Sequence, residues 1–585
     1  MIYDVIIIGS GASGYAAAER LYANGIKNIC LFSEKVTCGT SRNAGSDKQT
    51  YYKLDISSPC GDSVRKMAED LFNGGSMNGS DAYLEAANSL RCFMHLVELG
   101  VPFPKDPYGV FHGYRTDHDN TNRATSAGPL TSRYMTERLE EKIRECGIEV
   151  RDGYTAIKLI IKDKKCCGAY FLNGGKIVPV SAKAVILCTG APAAIYENSV
   201  YPIGHKGATG LAIEAGAELQ NFQEWQYGIA SKKFRWNLSG SYQQVIPRYV
   251  SVDNNGNETE FLKALPDYLN LIFLKGYEWP FDSNKTGGSS QVDILVSREI
   301  AKGNRVYLDY MHNPSDFDFS LLNDASSDYL EKADASGITP IERLLQLNPK
   351  AYELYLNNGI DLKKEYLEIG VCAQHNNGGI RVDAHGETNI KGLFCAGEAS
   401  GRFGVYRPGG AALNDTQVGA LLISDHLKDS VAEYSAEEFT DSPELPKLSE
   451  KSDISEINSY FAVRMSESAA NVRNIEKIKA IASELEALLN GFEAKVRISS
   501  ADEYEDYFAL RCATVSRLAL CRTILGCAEK CGSRGGCMYI ENGEKIPENT
   551  EYRKFITVTS ADGVSFIPVD RIPTEEYVFE KLLKK

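Results

Sequence analysis

In GVYRPGGAALND, residues 404–415, a single arginine stands before Pro-Gly-Gly and an apolar run at helical spacing. Pro408 pushes Arg407 out of the helical backbone region, Gly409 and Gly410 permit close approach, and a helix opening near Ala411 would aim unpaired N–H groups beside the guanidinium. Such a place suits an anion. A plain loop-to-helix junction, with Arg407 paired to a surface carboxylate, fits the same residues. A second chemical set lies at the N-terminus, where Gly9, Gly11 and Gly14 have the spacing G-x-G-x-x-G. Glu34 follows Gly14 by 20 residues, at the end of the next apolar run. There a carboxylate can take ribose hydroxyls while the glycines let a pyrophosphate approach the backbone.

The elements that must position these groups read as a βαβ unit. YDVIIIG is a buried parallel strand, SGASGYAAAERLYANG is a tight turn feeding a helix that stops at Gly25, and NICLFS is the second strand. Two later buried strands end in small residues: AKAVILCTGAP (residues 182–192) and IKGLFCAGEASG (residues 390–401, carrying Glu398). The nucleotide domain is therefore discontinuous, and strand ends gathered from distant parts of the chain suit a long cofactor, FAD in preference to NAD. Between about Ser231 and Tyr366 the pattern turns aromatic and irregular, as an inserted cap would. YSAEEFTDSPELPKLSEKSD then reads as a linker, and two long helical patterns follow, over residues 457–492 and 504–530. The expected division is 1–230 and 367–430 for the two parts of the FAD-binding domain, 231–366 for the cap and 431–585 for a C-terminal helical domain.

Composition bounds the partners. The 585 residues carry a formal charge of -14 without a basic block, which argues against nucleic acid. The sequence begins MIYDVIIIG without a charged leader, and no apolar run approaches the length of a membrane span, so a cytoplasmic chain is expected. Fifteen cysteines are too sparse for a disulfide scaffold. Cys512, Cys521, Cys527, Cys531 and Cys537 cluster, but their spacing fits no common metal or iron–sulfur pattern, so no metal is expected.

The order of motifs resembles the flavoprotein subunits of succinate dehydrogenase and fumarate reductase, with aspartate oxidases and adenylylsulfate reductases in the same family. The pieces are GSGASG, CGTSRNAGS (residues 38–46), LCTGAP, VSREI, QHNNGGIRVD, CAGEASG, YRPGGAALND and CGSRGG (residues 531–536). The resemblance implies an α/β fold: a discontinuous Rossmann-like FAD-binding domain, an inserted α+β capping domain that encloses substrate against the flavin, and the C-terminal helical domain. It makes Glu34 the adenosine ribose ligand, Thr40 and Ser41 flavin contacts, Glu398 the ribityl ligand and Arg407 the clamp on a substrate carboxylate. The further FAD contacts it implies are Gly9, Gly11, Ala12, Ser13, Gly14, Lys35, Ala156, Thr189, Gly190, Gly410, Ala412 and Leu413. Thr40 stands where covalent members carry a histidine, which implies noncovalent FAD.

Departures from the family exclude succinate and fumarate as expected substrates. Val292 or Asp293 stands in the place of the proton-delivering arginine, Trp225 in NFQEWQYG takes the place of one substrate histidine, and Gln374 that of the next, with His375 one residue later. Proton-donor candidates are Tyr227, Tyr406, His375 and Arg298, with His375 favoured. Arg248 is either a second clamp or a cap surface charge. Arg115, His118, Arg123 and Arg133, in residues 113–135, either cap a helix start or wall the cleft. The expected activity is reduction or desaturation of a carbon–carbon bond next to a carboxylate. Amine or imine oxidation, and a flavin relay for an electron-donor protein, are the alternatives.

Overall fold

The structure is a computed structural model and describes residues 2–57 and 61–574. Strand β1 (Ile2–Ile8) is apolar on both faces, with Val5, Ile6 and Ile7 fully buried, because it lies in the middle of a sheet covered by helices. Helix α1 (Ala12–Ala23) follows the glycine turn and ends before Gly25, at φ +93°. Strand β2 (Ile29–Ser33) then pairs parallel with β1, and β3 (Lys176–Leu187) pairs parallel on the other side. The sheet runs Glu149–Asp152, β2, β1, β3, Lys165–Asn173, Thr155–Lys162. Leu393–Cys395 adds a parallel strand beside the end of β3, which makes the domain discontinuous as its motifs implied.

The chain leaves this sheet through β4 (Trp225–Ser231) and returns through β5 (Leu367–Asn376), which pair antiparallel. Both belong to a six-stranded sheet ordered Trp236–Asn237, β4, β5, Arg305–Asp309, Arg248–Val252, Glu258–Thr259, whose intervening helices complete an α+β cap. Helix α2 (Ala411–Ser430) opens at Ala411, as the glycines before it suggested, and packs along α1.

The C-terminal part departs from the expected run of unbroken helices. The pattern over 457–492 is interrupted: helix Ile454–Ser468 gives way to a short strand, Val472–Asn474, before helix Ile475–Leu489. Buried Arg473 explains the break, since it donates to the carbonyls of Ala470 and Gln223 and to the Tyr539 hydroxyl, and Asn474 caps the next helix. The second pattern is one helix, α3 (Tyr504–Cys531). The hairpin Phe555–Ser560 and Gly563–Pro568 pairs with Leu219–Gln220, tying the C-terminal part to the root of the cap.

The clustered cysteines face the packing of α3: Cys521 Sγ lies 3.7 Å from Met465 Sδ, and Cys537 Sγ 3.4 Å from the Gln223 carbonyl. Among the described residues no group of three or more His, Cys, Asp or Glu side chains is placed to hold a metal ion. No helix among them is long and apolar enough to cross a membrane.

Candidate active site

A cavity of about 1200 Å³ runs from the ends of β1, β2 and β3 to the underside of the cap. That exceeds the roughly 300–1000 Å³ of an ordinary ligand pocket. At its nucleotide end the three motif glycines have different reasons to be glycine. A Cβ on Gly9 would meet the Cys188 carbonyl oxygen at 2.3 Å, and one on Gly14 the Gly9 carbonyl oxygen at 1.9 Å, so both permit the tight crossing of turn, strand and helix. A Cβ on Gly11 would meet only Ser41 Oγ at 3.2 Å; that glycine keeps its side open to the cavity. It also forms the N-cap of α1 without a side-chain cap, so the positive helix end faces the space where a pyrophosphate would lie.

The other cofactor candidates gather around this point. Ser13, Glu34, Lys35, Thr40, Ser41, Ala156, Thr189, Gly190, Glu398, Gly410, Ala412 and Leu413 all line the cavity. Ala12 and Gly14 do not; Ala12 instead donates its N–H to Ser41 Oγ at 3.1 Å, fastening the flavin-side loop to the glycine turn. Thr155 and Thr189 each hold a buried hydroxyl without a protein partner at the cavity wall, places a ligand would satisfy. Acidic Glu34 at the ribose position, the bared backbone at Gly11 and the helix N-terminus make a donor set that fits FAD.

Thr40 is committed to the protein. Its Oγ1 lies 2.5 Å from His205 Nδ1, and His205 Nε2 lies 2.8 Å from the Thr189 carbonyl oxygen. A carbonyl only accepts, so Nε2 carries the hydrogen and Nδ1 accepts from Thr40. A hydroxyl in this place offers no imidazole to bond to the flavin. Acid precipitation should therefore release all FAD into the supernatant as intact dinucleotide; absorbance near 450 nm that stays with the pelleted polypeptide would contradict it.

The substrate end is built on Arg407, which is 5 % exposed. Its Nη2 donates to Gln226 Oε1 at 2.5 Å, Nη1 to the Pro408 carbonyl at 3.1 Å, and Nε to Asn377 Oδ1 at 3.4 Å. Burial pushes its pKa down to about 10, against the pull of Glu398, and it stays charged. The strand β4 corrects the expectation at Trp225. Alternation along β4 turns Gln226 to the cavity, while Trp225 donates to the Phe222 carbonyl and packs on Tyr196.

Tyr227 points away with Trp225, hydrogen-bonded at 2.8 Å to Tyr196, and lies outside the cavity. Arg298 is exposed on helix Ser290–Ala301 and lies outside it too. Tyr406 bonds Asp282 at 3.0 Å behind the cavity wall, and Arg248 is held by Glu260, Asp309 and Glu258 within the cap. None of these four side chains, expected as proton donors or a clamp, lines the cavity. Asp293, one of the two residues expected at the place of the proton-delivering arginine, forms a fully buried ion pair with Lys275 at 2.9 Å.

His375 and Gln374 both line the cavity. His375 Nδ1 lies 3.0 Å from Asn377 Oδ1, and Asn377 Nδ2 donates to the carbonyls of Gly404 and Val405, which fixes that amide with its oxygen toward the imidazole. Nδ1 is therefore the donor and Nε2 has no hydrogen. Burial and the Arg407 charge hold the ring pKa well below its usual value. Glu398 Oε1 lies 3.8 Å from Nε2 and accepts from the Tyr201 hydroxyl and the Asn376 N–H; burial raises its pKa to about 7.

The stretch 113–135 divides between its two interpretations. Arg123 is buried and held by Asp62, Asp70 and Asp119, and Arg133 pairs with Glu137 on the surface. Arg115, Thr116, Asp117 and His118 face the cavity. Desolvation within the cleft pushes Asp117 up to about 7 and His118, whose surface is open to the cavity, down to about 4. Gln226, Asp117 and Asn377 are site residues that composition and spacing did not single out.

Residues 4–413 match the family described as FAD binding domain. The chain is 25 % identical over 529 residues to an uncharacterised FAD-dependent oxidoreductase of Methanocaldococcus jannaschii, covering 87 % of this chain and 88 % of that one. It is 27 % identical over 428 residues to one subunit of the fumarate reductase (CoM/CoB) of Methanothermobacter marburgensis, covering 71 % of this chain and 70 % of that one. Its fold matches that of Sdh1 from Mycobacterium smegmatis with a TM-score of 0.74 at 19 % identity, over 98 % of this chain and 94 % of the other. With the family matched over the residues that build the glycine turn, Glu34, Glu398 and Arg407, the chain belongs to the FAD-binding oxidoreductases that include fumarate reductase and succinate dehydrogenase flavoproteins and L-aspartate oxidases.

Proposed function

We propose that the protein catalyses hydride transfer at a carbon–carbon bond next to a carboxylate, other than in succinate or fumarate, and that Arg407 holds that carboxylate. The observation that carries this is a buried guanidinium whose only protein partners are neutral. Three of its five N–H groups are used by Gln226, Asn377 and Pro408, and among the described residues no carboxylate lies within ion-pair distance. One N–H remains on each terminal nitrogen, a fork that matches the two oxygens of a carboxylate. A buried cation without a counter-ion is costly, and a substrate anion removes that cost.

FAD, when bound, supplies hydride acceptance and donation at its N5. The chain's own residues orient the substrate and handle its proton. Asn377 holds both Arg407 and His375 through one oxygen, so anion binding and imidazole orientation are set together. His375 carries no proton at Nε2 near neutral pH, and a substrate anion that offsets the Arg407 charge would ease its taking one, the role desaturation needs. The Glu398 carboxyl, protonated up to about pH 7, is the neighbouring group able to give one in reduction.

Amine oxidation is the second reading, and Asp117 is the observation that favours it. Its side chain faces the cavity without an ion-pair partner among the described residues, and its carbonyl accepts from Gly409 N–H at 3.2 Å, beside the Arg407 loop. An anion there could take the ammonium of a substrate whose carboxylate Arg407 holds. Anaerobic mixing of the oxidised protein with saturated carboxylic acids, and of the reduced protein with enoates, tests the first reading: flavin colour should respond within the series. Bleaching by amino acids alone would select the second, and turnover only with a co-purified partner a flavin relay.

A further inference from the structure

We propose that the C-terminal domain forms part of the FAD site, with Phe508 on helix α3 closing the adenine end. Phe508 and Cys512, one helical turn apart, share the face of α3 that lines the cavity. This face lies at the nucleotide end. Lys206 Nζ bridges Glu34 Oε1 at 3.3 Å and Asp506 Oδ1 at 3.2 Å, joining the ribose-binding carboxylate to the first turn of α3. The helix is pressed into place: a Cβ on Gly210 would meet the Cys512 carbonyl oxygen at 2.3 Å, and Cys512 Sγ lies 3.8 Å from the Gly207 carbonyl oxygen.

In a βαβ nucleotide site the pyrophosphate sits on the glycine turn, the ribose on the acid ending the second strand, and the base beyond it. The cavity lining near Glu34 includes Tyr154, Thr155 and Ala156, whose strand follows a backbone bond from Tyr154 N–H to the Ser33 carbonyl, and Phe508 of α3. Phe508 is half-buried, packs at right angles to Tyr507 and lines the cavity, so its ring is an aromatic surface within reach of a ligand there. Thr155 Oγ1 is buried there without a partner, and an adenine edge would satisfy it. The family match ends at residue 413, so this contribution comes from outside the FAD-binding domain it covers.

The test compares FAD with FMN, which shares the isoalloxazine and ribityl phosphate but lacks the adenosine. Titration of apoprotein by flavin fluorescence quenching should show Phe508→Ala binding FAD about tenfold more weakly, the effect of losing one base–aromatic stack, with FMN affinity within about twofold of wild type. Phe508→Trp should retain FAD affinity. Equal losses for FAD and FMN would mean that the variant only displaces the helix, and unchanged FAD affinity would mean that the ring does not meet the base; either overturns the proposal. If Phe508→Ala proves insoluble, Phe508→Leu, which keeps apolar bulk without a ring, is read by the same criteria.

Discussion

Arg407→Ala should weaken carboxylate ligands by about 2–5 kcal/mol, a loss of thirtyfold or more in Kd, with bound FAD retained. The effect is large because the removed group is both a fork donor and the cation that offsets the ligand's charge in an enclosed cavity. Alanine also leaves Gln226 Oε1 and Asn377 Oδ1 without the guanidinium they now accept from. Arg407→Lys should recover only part of the loss, since an ammonium supplies charge but not two parallel N–H groups. Ligand affinity is read by perturbation of the flavin spectrum, and an alanine variant that binds carboxylates as wild type does would return Arg407 to a structural role.

The glycine turn supplies the second large effect, and the structure separates two of its residues. Gly11→Val should yield colourless protein with a melting temperature close to that of wild-type apoprotein, because its side chain enters only the cavity that the pyrophosphate needs. Gly14→Val should instead destabilise the fold itself. A Cβ there would lie 1.9 Å from the Gly9 carbonyl oxygen, so α1 must move off β1, at about 1–3 kcal/mol or more. Flavin-to-protein absorbance ratio and thermal unfolding of the apoproteins distinguish the two. Stoichiometric flavin in Gly11→Val would mean that the cavity has been assigned to the wrong ligand.

What was legible in the sequence is what local backbone chemistry dictates. Gly9, Gly11 and Gly14 lie between a strand and a helix, Glu34 ends the next strand, and Gly409–Gly410 precede a helix start; each can be interpreted within a short window. Arg298 and Tyr227 illustrate where such a window fails. Their chemistry was suitable, but which way a helix or strand turns a side chain depends on its partners: β4 is buried on both faces, so its alternation shows no polar side from which to tell Trp225 from Gln226. Asp117 has no motif around it and acquires its role from the Arg407 loop, whose Gly409 N–H reaches it across nearly three hundred residues of chain. The contact between α3 and the ribose end is longer still in sequence. The helix break before Val472 follows from buried Arg473 meeting the Gln223 carbonyl, a tertiary cause invisible to helical spacing.

The most direct test is anaerobic redox titration of wild type and Arg407→Ala, each with and without a saturating carboxylate that binds the wild type. If Arg407 clamps a substrate anion beside the flavin, the carboxylate should shift the midpoint potential of wild type, and the shift should vanish in the variant while its ligand-free potential stays near that of wild type. A ligand-induced shift of equal size in both proteins would place the anion elsewhere and contradict the account.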